Sequence, residues 1–220
     1  VEIIDLKKES ILYSDIYDFD KTKDIFDLQD EIALSILKAT RITSKYARPE
    51  LASNDPELYK MHIKARSLFT KNTRETNKEA EKLWRKALEK EPENFRFMNS
   101  LGWVYWQKII LRTSDNPKED IQEGLKLAKK ALSIRQTHAP ALSLELSLEL
   151  MMGNHDEACQ KVEKIFQHSE TIFDTALGAA GAHSCGDLEL AIANYEYVLT
   201  NAPHFSSWAR NSYSYALVEN

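Results

Sequence analysis

From Pro56 onward, apolar residues recur at helical spacing in short segments separated by turn residues, and the segments come in pairs. Leu58, Met61, Ala65, Leu68 and Phe69 form one stripe; Ala80, Trp84 and Ala87 form the next, which Pro92 closes. Each is the one-sided pattern of an amphipathic helix. Met98, Leu101, Gly102 and Tyr105 open a second pair, completed by Gly124, Ala128 and Ala131. A third pair is expected over 139–167 and a fourth over 171–201, with Pro203 as its stop. A last helix over 206–218 carries Trp208, Tyr213, Ala216 and Leu217. The stretch 153–158 recurs as 186–191 at an offset of 33 residues, Gly first and Ala last in both. A period of about 34 residues is that of stacked helix–turn–helix units. Small residues let the second helix of a unit pack closely, a large aromatic fills the gap, and proline ends it. The second pair is irregular, because residues 108–117 hold an excess of about ten residues over the usual unit. Since Ile109, Ile110 and Leu111 are apolar, its first helix is expected to run past the usual end, with a loop beginning near Thr113.

Leu142, Leu144, Leu146, Leu148 and Leu150 alternate with Ser and Glu, a strand pattern by periodicity alone. Leu, Glu and Met favour helix, no β-branched residue occurs there, and the repeat register requires a helix before Gly153, so a helix is expected. Glu145 and Glu149 then fall where a repeat places apolar residues, either paired and partly buried or turned outward by a rotation of the helix.

The first 43 residues do not follow the repeat. Ile3, Ile4, Leu6 and then Ile11, Leu12, Tyr13, Ile16 and Tyr17 flank the polar Lys7-Lys8-Glu9-Ser10, which predicts a β-hairpin. A lone hairpin is marginal in water, so it is expected to complete a sheet with upstream strands or with a second chain. Ile25, Leu28, Ile32, Ile36 and Ala39 follow at helical spacing, with Asp24 and Asp27 near the start, where negative charge suits the helix dipole. Residues 1–43 thus read as the end of a small α/β domain, 44–55 as a linker containing Pro49, and 56–220 as the helical array. The chain opens at Val1 rather than Met, which predicts a piece of something longer.

Composition narrows the function classes. The hydrophobic fraction of 43% and charged fraction of 29% are those of a globular protein. The net charge of -5, with both signs interspersed, favours neither nucleic acid nor an anionic membrane as a partner. Apolar runs fall short of the roughly 18 residues a membrane span needs. Two cysteines, Cys159 and Cys185, are too few for a disulfide framework, which points to a reducing, cytoplasmic setting.

Residues 56–220 resemble the tetratricopeptide repeat superfamily through Leu101-Gly102-x-x-Tyr105, Ala80-x3-Trp84-x2-Ala87-x4-Pro92, Gly153-x4-Ala158 and Gly186-x4-Ala191-x3-Tyr195-x7-Pro203. The resemblance implies a mainly α fold: a right-handed solenoid of antiparallel helix pairs, about four repeats and a terminal helix, preceded by the hairpin and amphipathic helix. Tyr17-Asp18-Phe19-Asp20 and the run from Asp24 to Ala33 are similar to a junction in multidomain bacterial signalling proteins. There a small α/β domain precedes the repeats, with a class III adenylate or guanylate cyclase domain, or a winged-helix DNA-binding domain, upstream. The implication is a regulatory carboxy-terminal portion, with the cyclase parent preferred and the winged-helix transcriptional regulator as the alternative. No catalytic residue carries over, and the chain itself is expected to be no enzyme.

In such a solenoid the first helix of each pair lines the concave side. That register predicts a peptide groove from His62, Arg66, Phe69, Asn99, Trp103, Trp106, Gln107, Ser143, Ser147, Met151 and His183, with Ala180 beside them. The expected occupant is a protein segment anchored by aromatic and arginine contacts. A homodimer formed through the hairpin is the alternative association. His155 and Cys159, four apart, and His183 and Cys185 are ligand types that zinc accepts, yet their spacing fits no familiar zinc pattern and both cysteines suit a packed interior. No cofactor or metal is therefore expected; phosphate-loop and nucleophile-elbow motifs are missing too.

Overall fold

The computed structural model describes residues 2–5, 10–14, 52–203 and 205–219. The chain divides between Pro49 and Glu50 into two units. In the first, β1 (Glu2–Asp5) and β2 (Ser10–Ser14) pair antiparallel, Glu2 opposite Ser14 and Asp5 opposite Ser10, with a register shift between Ile3 and Ile4. The amphipathic helix expected within 24–43 and most of the linker over 44–55 lie outside the described residues.

The second unit is helical throughout its described residues. α1 (Pro56–Phe69) and α2 (Arg74–Lys90) form the first pair, α3 (Phe95–Ile110) and α4 (Pro117–Ile134) the second. α5 (Ala139–Met152) is followed by two short helices, α6 (His155–Cys159) and α7 (Lys161–Gln167), separated at Gln160. α8 (Ile172–Ser184) and α9 (Leu188–Asn201) make the fourth pair, and α10 (Ser207–Glu219) closes the array. Each helix packs mainly on its neighbours in sequence, while α3 also meets α5 and α5 meets α8, the nearest-neighbour stacking of a solenoid.

Local chemistry sets the boundaries. The Asp55 carboxylate accepts from the Glu57 and Leu58 amides, Thr73 from Thr76, and Asn94 from Arg96 and Phe97, each satisfying amides that a helix start leaves open. Thr171 and Asp174 form a reciprocal capping box at the start of α8. Gly153 (φ 84°) and Gly186 (φ 81°) end the first helices of the third and fourth pairs in the left-handed conformation that glycine adopts without strain. Those two turns are the physical content of the 33-residue offset. In the irregular second pair, α3 runs on through Ile110 but turns earlier than Thr113. Arg112 adopts φ 54°, and the Thr113 amide donates back to the Lys108 carbonyl (2.9 Å). This is a helix-ending turn with arginine in the position usually held by glycine.

α5 is a helix, and its leucines explain the alternation. Leu142 and Leu146 enter a cluster with Ala158, Ile165, Ala182 and Tyr195, whereas Leu144 and Leu148 enter another with Ile121 and Ala128. Residues four apart share a helical face, so the leucines form two stripes, one for each neighbouring repeat. Glu145 and Glu149 form a third stripe and are paired: Glu145 with Lys161 (3.9 Å), Glu149 with Lys129 (3.2 Å) and with the Asn154 amide (2.6 Å). Burial alone would raise the Glu149 carboxyl pKa, but the hydrogen bonds from Asn154 and Lys129 and the charges of Lys129 and Lys161 outweigh it and hold it below its ordinary value. A carboxylate depressed on folding stabilises above its unfolded pKa and loses that contribution as pH falls through the folded one. Glu149→Gln is therefore expected to cost roughly 1 kcal/mol at neutral pH. The difference from wild type should shrink to nothing in acid; urea titrations at several pH values check this, and a pH-independent difference would rule out the ionised pairing.

Candidate functional site

The residues expected to line a groove fall into three environments. His62 is buried under its own repeat: Trp84 Nε1–H donates to His62 Nδ1 (3.1 Å), and Phe69 meets Trp84 edge-on with ring centroids 6.0 Å apart. Asn99, Gln107 and Ser143 are also buried. Gln107 Nε2 donates to the Phe69 carbonyl (3.3 Å) and to Asn72 Oδ1 (2.5 Å), tying the ends of α1 and α3 together. Asn99 Oδ1 and the Ser143 hydroxyl have no hydrogen-bond partner among the described residues. These side chains sit in the packed interior, so they do not offer an open recognition surface.

A second group is only half-buried. Trp103 and Trp106 pack edge to face with centroids 5.2 Å apart. Both, with Met151 from α5, lean on the Ile121, Ala128, Leu144 and Leu148 cluster. The structure thus brings Trp103, Trp106 and Met151 together across the second and third repeats. Ser147 donates to the Ser143 carbonyl (2.8 Å) nearby on α5, and Arg66 is exposed on α1. His183 stands apart at the other end of the array, its Nε2 2.9 Å from a Glu219 carboxylate oxygen on α10.

The structure also forms a polar groove of about 550 Å3 that the sequence did not announce. It runs between α2 and α4, with Tyr105 and Lys108 of α3 and the loop over 113–116 among its lining. Lys108 Nζ lies 2.8 Å from Glu81, 3.6 Å from Asp120 and 4.6 Å from the Tyr105 ring centre. Arg85 pairs with Glu81 (2.8 Å) and donates to the Tyr105 hydroxyl. Burial pushes the Tyr105 phenol pKa up and would do the same to Glu81, but Lys108 and Arg85 hold the Glu81 carboxyl below its usual range. The arrangement keeps both groups far from titration at neutral pH and ties the lengthened second repeat to the first. Only the helical spacing of Glu81 and Arg85 hinted at it.

The cysteine reading is corrected. Stacking of the third repeat on the fourth brings Cys159 at the end of α6 to Cys185 beyond α8, with Cα atoms 5.7 Å apart, and the two form a disulfide. The set His155, Cys159, His183 and Cys185 does not converge on a common point: the thiols bond each other, His155 is exposed, and His183 turns to Glu219. Among the described residues no group of three or more His, Cys, Asp or Glu is placed to hold a metal ion, and no helix is long and apolar enough to cross a membrane.

No protein-family model matches the chain, and no curated protein matches it significantly. Among solved structures, the fold is similar to TTC0263, a thermophilic tetratricopeptide repeat protein of Thermus thermophilus. The TM-score is 0.61 at 18% identity, over 88% of this chain and 96% of that one. PilW, a type IV pilus biogenesis factor, aligns over 87% of this chain and 93% of its own at 16% identity, with a TM-score of 0.37 that carries no weight. The helical array has the tetratricopeptide repeat fold.

Proposed function

We propose that the chain is a non-catalytic protein-binding module whose recognition surface centres on Trp103 and Trp106. The half-buried aromatic pair, continued by Met151 and placed on first helices of a tetratricopeptide repeat fold, is the observation that supports this reading. Such a surface suits one or two apolar anchors of a peptide or helix, because aromatic side chains dominate interface energetics once a partner completes their burial. The junction-like run within 17–33 supports a wider role as the regulatory carboxy-terminal part of a cyclase-type signalling protein. An upstream cyclase domain in the full-length reading frame is what that role requires.

The test is selection of linear peptides from a displayed random library on the intact chain, followed by binding to Trp103→Ala and to a Lys126→Ala control on α4. Loss of a central aromatic anchor is expected to weaken the selected peptides by about thirtyfold, while the control binds as wild type. Equal binding by both variants would place recognition elsewhere, and failure to select any peptide would count against a linear-segment partner.

A further inference from the structure

α6 is the shortest helix among the described residues and is anchored to the core through one side chain. It has five residues, its N-cap Asn154 makes no side-chain capping bond, and Gln160 separates it from α7. Only Ala158 is buried; His155, Asp156 and Glu157 are exposed. A hydrogen bond from Lys161 Nζ to the Glu157 carbonyl (2.8 Å) links it to α7. The corresponding helix of the next repeat, α9, is a single run of 14 residues capped by Asp187. The disulfide joins the last residue of α6 to the residue that ends α8, across a sequence separation of 26. Both cysteines are half-buried rather than sealed in the core, and the chain has no third cysteine with which either could mispair.

We propose that the Cys159–Cys185 bond is a redox-operated clasp: closed, it holds α6 against the end of α8; open, it releases the 154–160 segment while the rest of the array stays folded. Closing uses a disulfide oxidant, either a small molecule such as oxidised glutathione or a protein disulfide. One cysteine thiolate attacks a sulfur of the oxidant, expelling one thiol and leaving a mixed disulfide. The other thiolate then attacks the cysteine sulfur of that mixed disulfide and expels the second thiol. The two cysteines lose two protons and two electrons together, and the oxidant gains them as its own two thiols. A disulfide made and broken in this way is the form such bonds take in reducing compartments.

Hydrogen–deuterium exchange of the full chain, read by mass spectrometry after treatment with oxidised glutathione and again after a phosphine reductant, tests the clasp. Alkylation should find no free thiol in the first state and two in the second. Amides of Ala158, Cys159 and Gln160, the ones this short helix can hold in hydrogen bonds, should exchange about tenfold or more faster once reduced, with 95–110 unchanged. Cys185→Ser should exchange like the reduced chain and ignore the reductant; if that variant does not fold, the two wild-type states decide alone. Equal exchange in both states, loss of protection throughout the array, or two alkylated thiols after oxidation would overturn the proposal.

Discussion

Trp84→Ala is expected to destabilise the array by about 3–5 kcal/mol, read as a shifted urea midpoint. Trp84 is the largest fully buried side chain, 2% exposed, and it fills the space that Ala65, Ala80 and Ala87 leave between α1 and α2. Truncation removes its packing within the cluster that also holds Leu58, Phe97 and Leu101 and opens a cavity that helices on both sides are too rigid to close. It also takes from buried His62 the proton donor at Nδ1, adding the cost of a lost buried hydrogen bond. Trp84→Phe separates the two terms: it keeps most of the volume, loses the N–H, and should cost roughly half as much or less. Because repeats couple through nearest neighbours, the first repeat should melt ahead of the third and fourth in Trp84→Ala, giving a broadened or two-step transition. A loss under about 1 kcal/mol would mean that Trp84 is not the core of the first repeat.

His62 shows where sequence reasoning lost its hold. The periodicity of α1 placed it correctly on a helix, and the concave register placed it on a groove, yet that position faces Trp84. Asn99 and Ser143, at corresponding places in later first helices, are buried as well. Which side chains of a helix stay open depends on how closely neighbouring repeats stack, and no single-chain pattern reports that spacing. The disulfide was hidden for the same reason, since a count of two cysteines says nothing of the distance between them. The break at Gln160 had no signal either, because no proline or glycine marks it. By contrast, Gly153, Gly186, Pro92 and Pro203 punctuate the chain through backbone requirements that are local, and these made the repeat boundaries legible.

The α5 leucines turn that lesson into a measurement. Read in twos, the run from Leu142 to Glu149 is a strand; read in fours it is Leu-Ser-Leu-Glu repeated, which on a helix gives two apolar stripes on different faces. Leu144→Ala and Leu146→Ala are each expected to cost about 2–5 kcal/mol, since both leucines are at most 2% exposed. Leu144 belongs to the cluster shared with α3 and α4, and Leu146 to the one shared with α7, α8 and α9. The two losses should therefore add to within about 0.5 kcal/mol in the double variant, because the sites share no packing partners. Leu144→Ala with Leu148→Ala should depart from additivity by more, because both line one cluster. If the double variant survives only as partly folded protein, the same comparison is made on Leu→Val substitutions, whose smaller losses keep the chain measurable. Equal coupling in both pairs would show that α5 does not divide its faces between two repeats. The alternation would then have to be explained by something other than a helix set between two cores.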